Sequence, residues 1–99
     1  MGHSLKAAAF LMESRIADAA EGDVEALYAL GVAYSAGTDG ADVDYIEAHK
    51  WFNLAALNGS RLAQESRAEV SEYMSAREIA EAQRQARAWL SAGAVSMAA

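Results

Sequence analysis

The chain contains no cysteine and no proline. Without cysteine it has no disulfide framework, no thiol nucleophile and no thiolate metal site. Without proline nothing breaks a helix from within, and alanine, which fills about a quarter of the positions, costs the least free energy to place in a helix. No segment shows the alternating, β-branched pattern of a strand. The composition therefore predicts an all-α domain.

Positive charge is also scarce, with 8 Lys and Arg against 14 Asp and Glu and a formal net charge of −6. Nucleic acids and anionic membranes are bound through clustered basic residues. We therefore expect neither nucleic acid nor a membrane as the partner. The arginines late in the chain alternate with glutamates, which indicates a solvated, salt-bridged face.

Long apolar runs are missing too. The longest, residues 7–12, is far shorter than the ~20 residues that cross a bilayer. The first residues lack a signal-peptide pattern. These observations favour the cytoplasm without defining the compartment.

Hydrophobic spacing and helix-end residues predict five helices. Gly22 suits the turn after the first helix, and Asp23 and Ser60 are expected N-caps. Asp42 or Asp44 is expected to cap the third helix, and Ser75 with Glu78 forms a capping box for the fifth. The predicted helices cover residues 5–20, 24–36, 43 or 45 to about 57, 61–73 and 76–92.

A small set of large apolar residues is expected to hold the alanine-rich helices together. On the first helix the buried face is predicted to carry Ala9, Met12, Ile16 and Ala19. The large members of the predicted core are Phe10, Leu27, Leu30, Tyr34, Tyr45, Trp51, Phe52, Leu54, Tyr73, Trp89 and Leu90.

The chain also repeats itself. Gly22 and Gly59 lie 37 positions apart, and the same offset pairs Ala26 with Ala63. Trp51 and Trp89 recur at an offset of 38. A helix-turn-helix unit of this length is typical of helical solenoids.

Two segments, ALYALGVAYSAG at 26–37 and DYIEAHKWFNLAALNG at 44–59, closely resemble the Sel-one-like repeat, a relative of the tetratricopeptide repeat. The loop from Gly37 to Gly40 is one residue longer than that family's usual loop. The positions that carry the resemblance, and that we expect to be structural, are Ala26, Leu30, Gly31, Tyr34, Gly37, Ala48, Trp51, Ala55, Ala56 and Gly59.

The resemblance implies a short, right-handed α-α superhelix of antiparallel helix pairs in one domain, residues 1–99. Within it we expect an N-terminal capping helix (4–21), one complete repeat (22–59), a degenerate C-terminal repeat or cap (60–92) and a flexible tail (93–99). It also implies a non-catalytic scaffold or adaptor that binds a protein or peptide. The alternative is self-association into a homo-oligomer, because repeat arrays usually need about three units for stability.

The sequence offers no catalytic site, cofactor site or metal site. Of the two histidines, His3 lies near the start, and His49 is expected off the buried stripe, on the surface, without a partner for acid–base catalysis. The acidic residues Asp39, Asp42, Asp44 and Glu47 lack the spacing of a twelve-residue calcium loop.

Two residues are predicted to contact a partner. Tyr28 lies off the stripe formed by Leu27, Leu30 and Tyr34, and exposed aromatic side chains are favoured in binding hot spots. His49 is the second, because of its expected surface position.

Overall fold

The computed structural model describes residues 2–98, and the side chains it describes are those of residues 6–93. This part of the chain forms five helices and no strand, which confirms the predicted all-α class. The helices are α1 (Gly2–Ala20), α2 (Val24–Ala36), α3 (Tyr45–Leu57), α4 (Arg61–Ser71) and α5 (Ala76–Ala98).

The helix ends follow the predicted capping residues. The Asp23 carboxylate accepts hydrogen bonds from the backbone N–H groups of Glu25 and Ala26. Of the two candidates for α3, Asp44 is the cap, since it accepts from the N–H of Glu47.

The remaining predicted caps are also in place. The Ser60 hydroxyl accepts from the Ala63 N–H. The capping box before α5 is complete in both directions, because Ser75 N–H donates to the Glu78 carboxylate and Glu78 N–H donates to the Ser75 hydroxyl. These bonds satisfy backbone donors that a helix start leaves unpaired.

Helix α3 is the centre of the packing. It packs against α2, α4 and α5, while α1 packs against α2. Helices α4 and α5 both pack against α3. The predicted arrangement of packed helix pairs is thus confirmed, with one helix serving as the support for three others.

The core lies on the buried faces of α2 and α3. Its fully buried large side chains are Phe52, Leu27, Leu30 and Leu54, with Trp51 almost fully buried beside them. Small residues fill the gaps and let the helices approach closely. The buried alanines are Ala19, Ala26, Ala33, Ala48, Ala55, Ala63, Ala82 and Ala86.

Gly31 has a specific packing role on α2. A Cβ atom added there would lie 2.4 Å from Cδ1 of the Phe52 ring, well inside van der Waals contact. The missing side chain therefore makes the space that the Phe52 ring occupies. The sequence indicated a close approach of helices at this glycine, and the structure assigns that approach to an aromatic ring.

Four predicted core positions are wrong. Ala9 and Phe10 on α1 are exposed, Phe10 by 73%, because α1 packs mainly against α2, which covers one side of it. Tyr73 is 71% exposed, since it follows the end of α4 and stacks on Tyr45 at the margin of the core. Leu90 is 46% exposed because it borders a cleft.

Three helix ends also differ from the prediction. Helix α1 begins at Gly2, before the predicted start at residue 5. Helix α4 ends at Ser71, before the predicted end at 73, and the chain turns there through backbone bonds from Tyr73 N–H to Val70 and from Met74 N–H to Ser71. Helix α5 continues to Ala98, past the predicted end near 92, because the residues that follow include no helix-breaking proline. The side chains of His3 and of the tail beyond 93 lie outside the described residues, so the flexible tail stays a prediction.

Across residues 2–98, none of the helices is both long enough and apolar enough to cross a membrane.

Candidate functional site

An apolar cleft of about 750 Å³ lies where α5 faces the ends of α1 and α3. That volume falls within the range of roughly 300–1,000 Å³ typical of binding clefts. Several lining residues are exposed, so the cleft opens to solvent. Its described lining consists of Ala19, Ala20, Glu21, Gly22, Leu27, Leu54, Asn58, Trp89, Leu90 and Gly93.

One wall of the cleft is aromatic and is formed by Trp89. The Trp89 ring meets Trp51 edge to face at 4.8 Å between centroids, an arrangement that aromatic pairs favour. The Trp51 Nε1–H donates to the Glu47 carboxylate at 2.9 Å, and the Lys50 ammonium lies 4.6 Å from the centre of the Trp51 ring. Trp89 is therefore held by a buried partner that is itself fixed by a hydrogen bond.

The electrostatic character of the cleft is negative. Glu21 is the charged residue among its described lining. The C-terminal ends of α1 and α3 border it through Ala20 and Asn58, and the C-terminus of a helix carries a partial negative charge. The negative charge of the Glu21 carboxylate and the partial negative charges of the two helix ends thus add to one another at the rim.

The surface position predicted for His49 is wrong. Its side chain is buried, with 2% exposure, because α3 is covered by helices on several sides rather than one. The described structure gives its Nδ1 no hydrogen-bond partner. Burial lowers the pKa of His49, and the positive charge of Arg67 on α4 lowers it further. A residue so buried offers a partner little surface, and we do not retain it as a contact.

Arg67 belongs to the polar part of the α3–α4 contact. Its guanidinium donates to the side-chain oxygen of Asn53. Asn53 lies one helical turn after His49 on α3. These neighbours leave His49 near a cation and away from solvent, which favours the neutral imidazole.

Tyr28 was predicted to lie off the buried stripe and to contact a partner, whereas the structure packs its ring against the core. Its ring lies 5.5 Å from the Phe52 ring, centroid to centroid, and packs against the core while remaining partly accessible. It does not line the cleft. The predicted role of Tyr28 in partner binding stays a prediction, and a change at this position also affects the core.

Three acidic side chains in the loop between α2 and α3 and in the first turn of α3 each have a different partner. Asp39 pairs with Arg15 at 2.8 Å, Asp44 caps α3, and Glu47 pairs with Lys50 at 2.8 Å. In the described part of the chain, no three acidic or histidine side chains come together as a metal site would require. The carboxylates of Asp39, Asp44 and Glu47 thus have structural partners within the chain.

The late arginines include one strong exposed pair. The Arg84 guanidinium donates to the Glu81 carboxylate at 2.6 Å, and this bond lowers the pKa of Glu81 to about 2. The pair is open to solvent and stays ionised at neutral pH, as the alternating charges indicated.

The cleft was not predicted, although the amino-acid sequence contains a signal for it. The offset of 37 that pairs Gly22 with Gly59 also pairs Glu21 with Asn58. Equivalent turns of neighbouring helix pairs lie at the same edge of an array, and Glu21 and Asn58 do line one cleft. Leu90 and Trp89 also line the cleft, but their position there depends on how α5 packs against α3. The repeat offset in the sequence does not indicate that packing.

A scan against protein-family models found no match for this chain, and searches of curated proteins and of solved structures also found none.

Proposed function

We propose that this chain is a non-catalytic protein–protein interaction module, a scaffold or adaptor that binds a protein or peptide partner. The observation that carries the proposal is the apolar cleft, which is open to solvent and walled by Trp89 and Leu90. Tryptophan is among the residues enriched in binding hot spots, and Trp89 lines this cleft. The resemblance to the Sel-one-like repeat supports the same function, although a shared fold does not determine one.

The test is affinity capture from a lysate of the source organism, with identification by mass spectrometry. Wild type is compared with Leu90→Asp, which places a charge in the cleft at a position that is 46% exposed, and circular dichroism checks that the variant is folded. Glu65→Lys, an exposed change on α4, is the matched control. We expect a protein that wild type and the control capture and that Leu90→Asp loses. Equal capture by all three would contradict the proposal.

Tyr28→Phe tests the predicted contact at Tyr28 in the same assay. This change keeps the ring against Phe52 and removes only the hydroxyl group. Loss of the partner would assign Tyr28 to the interface, and retention would exclude its hydroxyl from the contact.

A second candidate function is self-association, favoured by one observation. Leu57 and Leu62 flank the turn between α3 and α4, and both are more than half exposed. A second copy stacked at this end would cover them and extend the array of helices.

A further inference from the structure

We propose that the occupant of the cleft is a short amphipathic segment of a partner protein, with large apolar side chains flanked by lysine or arginine. This inference rests on the proposed function and specifies the chemistry of the partner. It follows from the size of the cleft, its lining and the distribution of charge around it.

The size and lining require several apolar side chains. A volume of about 750 Å³ exceeds what one side chain fills, and the walls supplied by Leu27, Leu54, Trp89 and Leu90 are apolar. A groove of this kind accepts the apolar face of a helix, with anchors at positions that recur every three or four residues. The open rim lets the rest of such a segment stay in solvent.

The charge at the rim selects for a basic segment. Glu21 lines the cleft, and the negative ends of α1 and α3 border it. A lysine or arginine beside the apolar anchors would meet the Glu21 carboxylate and the terminal carbonyl groups together. A carboxylate at the same place would be repelled.

The described lining of the cleft includes no lysine and no arginine. Arg15 of α1 pairs with Asp39, and Lys50 of α3 pairs with Glu47 and lies against Trp51. Neither is among the described residues that line the cleft. The negative charge of the rim is thus available to a partner.

Charge also argues against a second copy as the occupant. Each copy carries a formal net charge of −6, so two copies repel one another at low ionic strength. The exposed leucines Leu57 and Leu62 that favour self-association are not among the residues that line the cleft.

The probe is a random dodecapeptide library displayed on phage and selected in parallel on wild type and on Leu90→Asp. Peptides enriched on wild type alone are synthesised with a fluorescent label, and their affinity is measured by fluorescence anisotropy. We expect apolar residues at helical spacing, a positive net charge and weaker binding at higher salt.

Charge reversal at the rim then tests the electrostatic step. Glu21→Lys should weaken binding of a selected peptide by about five- to tenfold, whereas Glu65→Lys, a matched reversal away from the cleft, should leave it unchanged. Titration of unlabelled peptide should also change the fluorescence of Trp89, measured in the Trp51→Phe variant so that Trp89 is the remaining tryptophan.

The opposite results overturn the inference. A basic occupant is contradicted if the selected peptides are neutral or acidic. It is also contradicted if the two charge reversals weaken binding equally, or if no peptide is enriched on wild type relative to Leu90→Asp. The proposed function is decided separately by the lysate capture. A protein captured through the cleft by an acidic segment would uphold that function and overturn this inference alone.

Discussion

His49 shows how burial changes the chemistry of a single residue. It is the buried polar side chain of the core, and its imidazole lies near Arg67. Protonation there would place a second positive charge in a region of low solvent access, which costs free energy. The folded protein therefore holds this histidine neutral more strongly than the unfolded chain does.

The consequence is a stability that depends on pH. Because the folded pKa of His49 lies below its ordinary value of 6.5, the unfolded chain takes up the proton first as the pH falls. The free energy of unfolding should thus decrease as the pH is lowered through about 6.5, a range in which ordinary carboxylates are still ionised. Thermal melts at pH 7.5 and 5.5 measure this change.

His49→Leu is the matched variant for this prediction, since it is neutral at every pH and close in size. Its melting temperature should vary less between the two pH values than that of wild type. The same variation in both proteins would assign the effect to other groups.

Trp51 is the large residue on which α5 depends. Its ring is almost fully buried and meets Trp89 at 4.8 Å. We expect Trp51→Ala to lower the free energy of unfolding by about 3–5 kcal/mol, from lost transfer free energy and the cavity left behind. Urea denaturation followed by circular dichroism measures the loss.

Trp51→Phe separates the ring from its hydrogen bond. It keeps an aromatic contact with Trp89 and removes the bond from Nε1 to Glu47, so its loss should be clearly smaller than that of Trp51→Ala. An alanine variant as stable as wild type would remove Trp51 from the core.

At the scale of the helices, the contact between α2 and α3 is set by Gly31 and Phe52. Gly31→Ala should improve the intrinsic helix propensity by up to about 1 kcal/mol. It should nevertheless destabilise the protein by about 1–3 kcal/mol net, because the new methyl group overlaps the Phe52 ring. Chemical denaturation measures the difference.

Gly93→Ala is the matched control on α5. A Cβ atom added there meets nothing within 4 Å, so the gain in helix propensity should appear without an opposing clash. Destabilisation by both substitutions alike would contradict the assignment of the effect at Gly31 to the ring.

The elements themselves were largely predictable from local chemistry. The bounds of α2 agree with the prediction, and Asp23, Ser60 and the Ser75–Glu78 pair cap the helices as expected. Capping depends on residues within one turn of each other, which the sequence states directly. The exposed Phe10 and the buried His49 were not predictable in this way, because exposure depends on which helices cover a face.

At the scale of the whole molecule, the described chain is compact. The radius of gyration of its Cα atoms is 13.4 Å, close to the value of about 13 Å expected for a single domain of this length. The core formed by α2 and α3 is covered by other helices of the same chain. Covering it therefore does not require a second copy.

We therefore expect a monomer. Its sedimentation-equilibrium mass should correspond to one chain, and its melting temperature should be unchanged over about a hundredfold range of concentration. A melting temperature that rises with concentration, and that Leu62→Glu makes independent of concentration, would favour self-association instead.

The sequence by itself determined the all-α class, the number of helices among residues 2–98 and most of their ends, because propensity, spacing and caps are local properties. It also indicated most of the large core residues on α2 and α3. Only the tertiary structure decided that α3 supports three helices, that His49 is buried and that α5 forms a cleft with the ends of α1 and α3. These features arise from contacts between residues far apart in the chain, and the pattern within one helix does not specify which neighbours cover it.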